Sequence, residues 1–201
     1  MTAARAPRGR RPGAPDTKAA ILAAARNGFA ASGFARTSVR AIAAEAGVDP
    51  ALVHHYFGTK DELFLAALEL PVDPRQVLLP AIAAGGVDGV AERMLRVFLS
   101  VWDDPEFQVR LVAVFRGVLD AEGEKLLREG FIPVVLEPVG AALGIDRPEL
   151  RMPLVASQMV GLIFLRYIVG VEPLASLSGD EIVAIYAPTL QRYLTGELPP
   201  P

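Results

Sequence analysis

The sequence predicts an all-α protein: an N-terminal three-helix domain built round a helix-turn-helix, followed by a larger helical domain. Three observations carry this prediction. Apolar residues recur at helical spacing along most of the chain, and no stretch alternates convincingly with period two. These runs start at Ser, Thr or Asp and stop at Gly or Pro, the residues that cap and end helices. At 201 residues, 52% hydrophobic and 21% charged, the chain can bury a real core in one or two domains.

Residues 1–15 are rich in Pro, Gly and Arg and lack apolar bulk, which predicts a disordered basic arm. Within it, Arg8-Gly9-Arg10-Arg11-Pro12 resembles the core of an AT-hook, a segment that can lie in a narrow minor groove. The competing reading is a solubilising tail. No apolar run follows the arm, so it does not read as a secretory signal. Asp16 then caps a first helix to about Ser32, with Ile21, Leu22, Ala25 and Phe29 as its stripe and Gly33 as its stop.

Residues 37–60, TSVRAIAAEAGVDPALVHHYFGTK, organise the rest. Thr37 or Ser38 can cap a helix whose apolar face is Val39, Ile42, Ala43 and Ala46. Gly47 can end it in a left-handed conformation, and Val48 plugs the angle. Asp49 and Pro50 suit the cap and first position of the next helix, and Val53 and Phe57 form its inward stripe. Pro50, Ala51, Leu52, His54, His55 and Tyr56 are then left for other faces, a compact tip that fits a major groove. Arg40 and Lys60 flank it with positive charge for guanine edges or phosphates. An ordinary helical hairpin would share the spacing. Thr59-x-x-Glu62 forms a capping box for a fourth helix carrying Leu63, Phe64, Ala67 and Leu68 and ending at Pro71.

Charge follows the same division. Residues 1–60 hold nine Lys/Arg against three Asp/Glu, while residues 61–201 hold eleven against twenty. A net charge of only -3 therefore conceals a basic part coincident with the helix-turn-helix, as expected of a phosphate-binding domain joined to one that does not touch DNA.

Beyond Pro71, Asp73-Pro74 starts a helix to Gly85, bent or broken at Pro80. Residues 88–102 are amphipathic, with Val90, Met94, Val97, Phe98 and Val101 on one side. Asp104-Pro105 opens a helix carrying Phe107, Leu111, Val114, Phe115 and Val118. Residues 121–143 are helical in character but interrupted by Pro133 and Pro138. Asp146 and Pro148 start a long helix to about Gly170, and Ser178-x-x-Glu181 caps a last one to about Leu194. Residues 154–171 approach the length of a membrane span, but Gln158 and Arg166 interrupt them. A core helix that also faces a second subunit fits better, with no membrane partner.

No active site emerges, so the chain does not read as an enzyme. His54 and His55 are adjacent and diverge on a helix, a poor metal pair, and cysteine is absent. No phosphate-cradling loop or nucleophile elbow is present, so neither a cofactor nor a metal is expected. The lack of cysteine is compatible with a reducing cytoplasm. Met94, Phe98, Trp102, Phe115, Met152 and Met159 can wall a pocket for a lipophilic small molecule, with Arg116 and Gln158 as polar contacts. The same residues at helical spacing would equally make plain core.

Several of these motifs together carry a resemblance. Gly33-Phe34, Thr37-Ser38-Val39-Arg40-x-Ile42-Ala43, Ala46-Gly47-Val48 and His55-Tyr56-Phe57-x-Thr59-Lys60-x-Glu62-Leu63 resemble the N-terminal domain of TetR family transcriptional regulators, in register from about Asp16 to Leu70. The chain departs from the pattern at His54, where the family often has Tyr, and at Leu52, where it often has Thr or Ser. The resemblance implies a homodimeric repressor in the cytoplasm, reading double-stranded DNA at a palindromic operator and released by a small molecule. Its parts would be the arm 1–15, a helix-turn-helix domain at 16–60 and a ligand-binding and dimerisation domain at 61–201. Thr37, Ser38, Arg40, Pro50, Ala51, Leu52, His54, His55, Tyr56 and Lys60 would form the DNA-contacting set. Segments 148–170 and 179–194 would pair with their counterparts in a second subunit. The rival reading is an all-α small-molecule carrier or enzyme whose N-terminal hairpin is structural.

Overall fold

A computed structural model describes residues 16–117 and 121–199. The expected arm, residues 1–15, lies outside them, as does Val118. Every regular element among the described residues is helical, as the sequence predicts. The described residues form two compact units, divided between Ala67 and Leu68.

In the first unit, α1 (Thr17–Ser32), α2 (Val39–Ala46), α3 (Pro50–Phe57) and α4 (Lys60–Ala67) follow the expected caps. Asp16, Ser38 and Asp49 each accept an otherwise unpaired amide at the start of their helix. Thr59 and Glu62 close the capping box: the Glu62 carboxylate accepts from the Thr59 amide at 2.6 Å, and the Thr59 hydroxyl from the Glu62 amide at 3.2 Å. Ile21, Phe29, Ile42, Val53, Leu63 and Phe64 are the buried centre. Phe29, Phe34 and Phe64 pack ring against ring at 5.3 to 5.7 Å, which fixes α1 against α4. The Arg26 Nε donates to the Ala67 carbonyl at 2.9 Å, so the unit closes at the end of α4 rather than at residue 60. Helix α4 stops at Ala67, short of Pro71.

In the second unit, α5 (Pro74–Ala83), α6 (Val90–Trp102) and α7 (Pro105–Gly117) precede α8 (Ala121–Leu126). Helix α8 runs through a π-helical stretch, Leu127–Leu136, into α9 (Glu137–Leu143). Next, α10 (Pro148–Leu162) widens into a second π-helical stretch, Ile163–Val169, and α11 (Gly179–Thr195) is last. The main core joins Leu95 and Leu99 of α6, Val139 of α9, Met152 and Val155 of α10, and Ile182, Leu190 and Leu194 of α11. Two expectations change here. The buried residues of α6 are Val90, Ala91, Leu95, Leu99 and Trp102, so of the expected stripe only Val90 is fully buried, because packing on α11 covers the adjacent stripe of Ala91, Leu95 and Leu99 more deeply. Gly89 occupies the cap position of α6 without a side-chain bond, and Gln191 of α11 accepts from the Ala91 amide. Pro80 and Pro133 do not break their helices: α5 continues, and the π-helical stretch carries Pro133 without an interruption.

Residues 148–169 are long and apolar enough to cross a membrane, with a mean hydropathy of 1.6, yet only 22% of that span is buried within the chain. Its start is pinned by Arg151, whose guanidinium pairs with Asp146 at 2.9 Å and donates to the Tyr193 carbonyl at 2.7 Å.

Candidate nucleic-acid interface

The α2–α3 turn is rigid for local reasons. Gly47 sits at φ 68°, its amide donates to the Ala44 carbonyl, and the Val48 amide reaches back to Ala43 at 2.9 Å. That double closure is a Schellman motif, and it fixes the angle at which α3 leaves α2. Asp49 accepts from the Ala51 amide at 2.8 Å and starts α3. Val53 and Phe57 are buried as expected. Asn27 and Glu45 bridge α1 and α2 at 3.0 Å.

Most residues expected at the interface are outward. Ser38, Arg40, Ala51, His54, His55 and Tyr56 are exposed, while Pro50, Leu52 and Lys60 are half-buried. Tyr56 shows 42% of its surface and packs edge-on to His55 at 5.5 Å, so two of the tip's rings support each other. Thr37 differs. It is 5% exposed, and its hydroxyl lies 2.8 Å from the carbonyls of both Gly28 and Gly33. Its side chain ties the loop to α1 and does not reach solvent; Ser38 takes the cap of α2. A Cβ on Gly28 would lie 2.9 Å from the Thr37 methyl, so glycine is what lets this loop approach α1.

His54 is oriented by its own helix end. Its Nδ1 is 2.8 Å from the Gly58 carbonyl, which can only accept, so Nδ1 carries the proton and Nε2 is the atom left for a base edge. The Lys60 ammonium lies 4.3 Å from the centre of the Phe34 ring. Partial burial lowers its pKa below the usual lysine value, and Asp61 works against that shift. Among the described residues no cluster of three or more His, Asp or Glu is placed to hold a metal.

The ligand candidates separate into groups. Met152 is buried against α9, and Met94 and Met159 pack on the main core. Phe98, Trp102 and Phe115 converge in a smaller cluster with Leu111, Ile163 and Tyr167. Arg116 is exposed and Gln158 half-buried, and neither belongs to a core cluster. An open cleft of about 400 Å³ between α6 and α11 is lined by other residues, among them Glu92, Arg96, Asp180 and Gln191, and by none of the candidates. Sequence reading missed Arg166, Tyr167 and Asp103, which meet beside the aromatic cluster. The available signal was an arginine inside the apolar run of residues 154–171.

Comparison with known proteins agrees with this geometry. Residues 21–67 match the family model for bacterial regulatory proteins of the tetR family, and residues 88–194, more than half of the chain, match the tetracyclin repressor-like C-terminal domain. A TetR-family regulator from Streptomyces coelicolor is 42% identical over 92% of this chain and 98% of its own, with a TM-score of 0.47. An HTH-type transcriptional repressor of Mycobacterium tuberculosis is 49% identical over 57 residues, 28% of this chain and 30% of that protein. The HTH-type regulator BetI of Brucella melitensis is 64% identical over 31 residues, 15% of this chain and 16% of its own. The chain thus spans less than a third of the length of the curated relatives it matches. Two family models that cover the helix-turn-helix and the helical unit after it, one of them over more than half of the chain, lead to one conclusion: the chain belongs to the tetR family of bacterial regulatory proteins, DNA-binding regulators of transcription rather than enzymes.

Proposed function

We propose that the protein is a cytoplasmic, homodimeric repressor that reads a palindromic operator and is released by a small, lipophilic molecule. The observation that carries the reading is the α2–α3 turn, closed at Gly47 and capped at Asp49, which leaves His54, His55 and Tyr56 exposed on α3 and Arg40 exposed on α2. The repressor that shares 49% identity over 57 residues supports the direction of regulation. One α3 is short and reads few base pairs, so useful specificity needs two. Val160, Phe164 and Val169 on α10 and its π-helical extension, with Ile185 on α11, are exposed apolar residues that a second copy would cover. A ligand in the second unit would act by changing the spacing of the two reading heads, which requires different affinities for the two spacings.

Genome-wide mapping of bound DNA tests the reading directly. The expected result is a small set of sites with two-fold symmetric sequence, each bound in vitro at physiological salt. Binding that shows no sequence preference over genomic DNA would support the carrier reading instead.

A further inference from the structure

The side chain of Arg166 is 9% exposed, and its Nε–H has no hydrogen-bond partner. Such a group is costly to leave unpaired in a folded interior. Its surroundings show which part of the guanidinium is committed. Nη1 donates to the Leu174 carbonyl at 2.8 Å. Nη2 faces the Asp103 carboxylate at 3.6 Å, well beyond the 2.7–2.9 Å of a charge-assisted bond. The nearer Asp103 oxygen already accepts from the Tyr167 hydroxyl at 2.8 Å. The Nε and Nη2 protons point the same way along one edge of the planar group, the edge that takes a carboxylate with two parallel bonds. The guanidinium also interacts with the Tyr167 hydroxyl, so the Nε end of that edge is the part left without a partner. Beside it stand Trp102 and Tyr167, 5.1 Å apart, with Phe98 and Phe115 against Trp102.

We propose that Arg166 and this aromatic cluster form the effector site, and that the effector is an organic acid: a carboxylate for the Nε/Nη2 edge of Arg166, carried on an apolar body for Phe98, Trp102 and Phe115. The proposal rests on the ligand-responsive reading given above and narrows its ligand to one chemical class. Asp103 is the resident competitor. It lies at the C-terminal end of α6, next to the start of α7, whereas Arg166 belongs to the extension of α10. An incoming carboxylate would take over Nη2 and weaken the Arg166–Asp103 link between the α6–α7 junction and that extension, which gives binding a route to conformation.

Trp102 is the chain's only tryptophan, so its emission reports on the site without a label. Decanoate and 4-phenylbutyrate, each compared with its own amide, are titrated into the full chain, with DNA affinity followed in parallel by fluorescence anisotropy. Both acids should change Trp102 emission saturably and bind at least about tenfold more tightly than the amides. Asp103→Asn keeps an acceptor for Tyr167 while removing the competing charge, so it should tighten acid binding by about threefold or more. Arg166→Gln should abolish the preference for acid over amide; should that variant not fold, Asp103→Asn carries the test by itself. Equal binding of acids and amides, or Asp103→Asn leaving acid affinity unchanged or weaker, overturns the proposal. So does reproduction of the acids' signal by nitrate or chloride, which would mean an adventitious ion only. Acid binding without any change in DNA affinity supports the site and sinks the release reading. Release of DNA by the amides and not by the acids sustains the release reading and overturns the site.

Discussion

Single residues at the interface divide by what already holds them. Thr37 is spent inside the fold, where its hydroxyl and methyl seat the loop on Gly28. Gly28→Ala places a Cβ 2.9 Å from that methyl and should destabilise the first unit by about 1–3 kcal/mol, read as a lower urea midpoint at an unchanged slope. A midpoint equal to that of the native chain would show that the loop yields freely. Arg40 is exposed on α2 and offers a flat donor fork, whereas Lys60 is a point charge held over Phe34. Arg40→Ala should therefore cost about 1–3 kcal/mol on the operator and relax preference at one position per half-site. Equal weakening on random DNA would reassign Arg40 to phosphate. Lys60→Ala should weaken binding to all sequences alike and lower the salt slope by about one unit. A sequence-dependent loss at an unchanged slope would count against a phosphate role.

At the scale of elements, helix ends are satisfied either locally or from far away, and the two behave differently. The capping box of α11 is local: the Glu181 carboxylate accepts from the Ser178 hydroxyl and amide, which lowers its pKa. The sign of the linkage follows. A carboxyl with a lowered folded-state pKa contributes stability above its unfolded value, near about 4.5, and loses it as pH falls through the folded value. Glu181→Gln keeps a neutral partner for the Ser178 amide but removes the titration. Its melting temperature should fall less than that of the native chain between about pH 5 and pH 3. Parallel curves for the two proteins would remove Glu181 from the acid response. The start of α6 is satisfied from a distance, by Gln191, which also donates to the Val87 carbonyl at 2.9 Å. Likewise Arg151 joins the start of α10 to the Tyr193 carbonyl near the end of α11. These long-range links make α11 the element on which α6 and α10 are registered.

For the whole molecule, the main question is what covers the apolar side of α10 and α11. Ile185 shows 58% of its surface and Val169 53%, in a span of which a single chain buries only about a fifth. Proposed pairing of residues 148–170 and 179–194 with a second copy predicts a dimer by light scattering at micromolar concentration; a monomer would remove the two-headed reading. Gly161 has nothing within 4 Å of the position of an added Cβ, so a side chain there does not disturb its own chain. Gly161→Glu should then leave helix content intact, shift the protein to monomer and abolish operator binding, because a charge would be buried at the junction of the two copies. Normal operator affinity in that variant would place the interface elsewhere.

By itself the sequence determined what is local: the helical period, the caps at Asp16, Asp49 and Thr59, the stop at Gly47 and the inward pair Val53 and Phe57. Each depends on residues no more than about one turn apart, so the information lies within the segment. Ser38 against Thr37 was undecidable at that range, since either hydroxyl can cap α2. Only contact with Gly28 on another helix draws Thr37 inward. The buried face of α6 was equally open, because two apolar stripes adjoin on it and α11 covers one more deeply. The Arg166 cluster lay furthest out of reach. Asp103 and Arg166 are more than sixty residues apart, and an arginine in an apolar run reads in one dimension only as an obstacle to membrane insertion. Tertiary packing decides which of its donors are met, because burial removes the water that would otherwise satisfy them all.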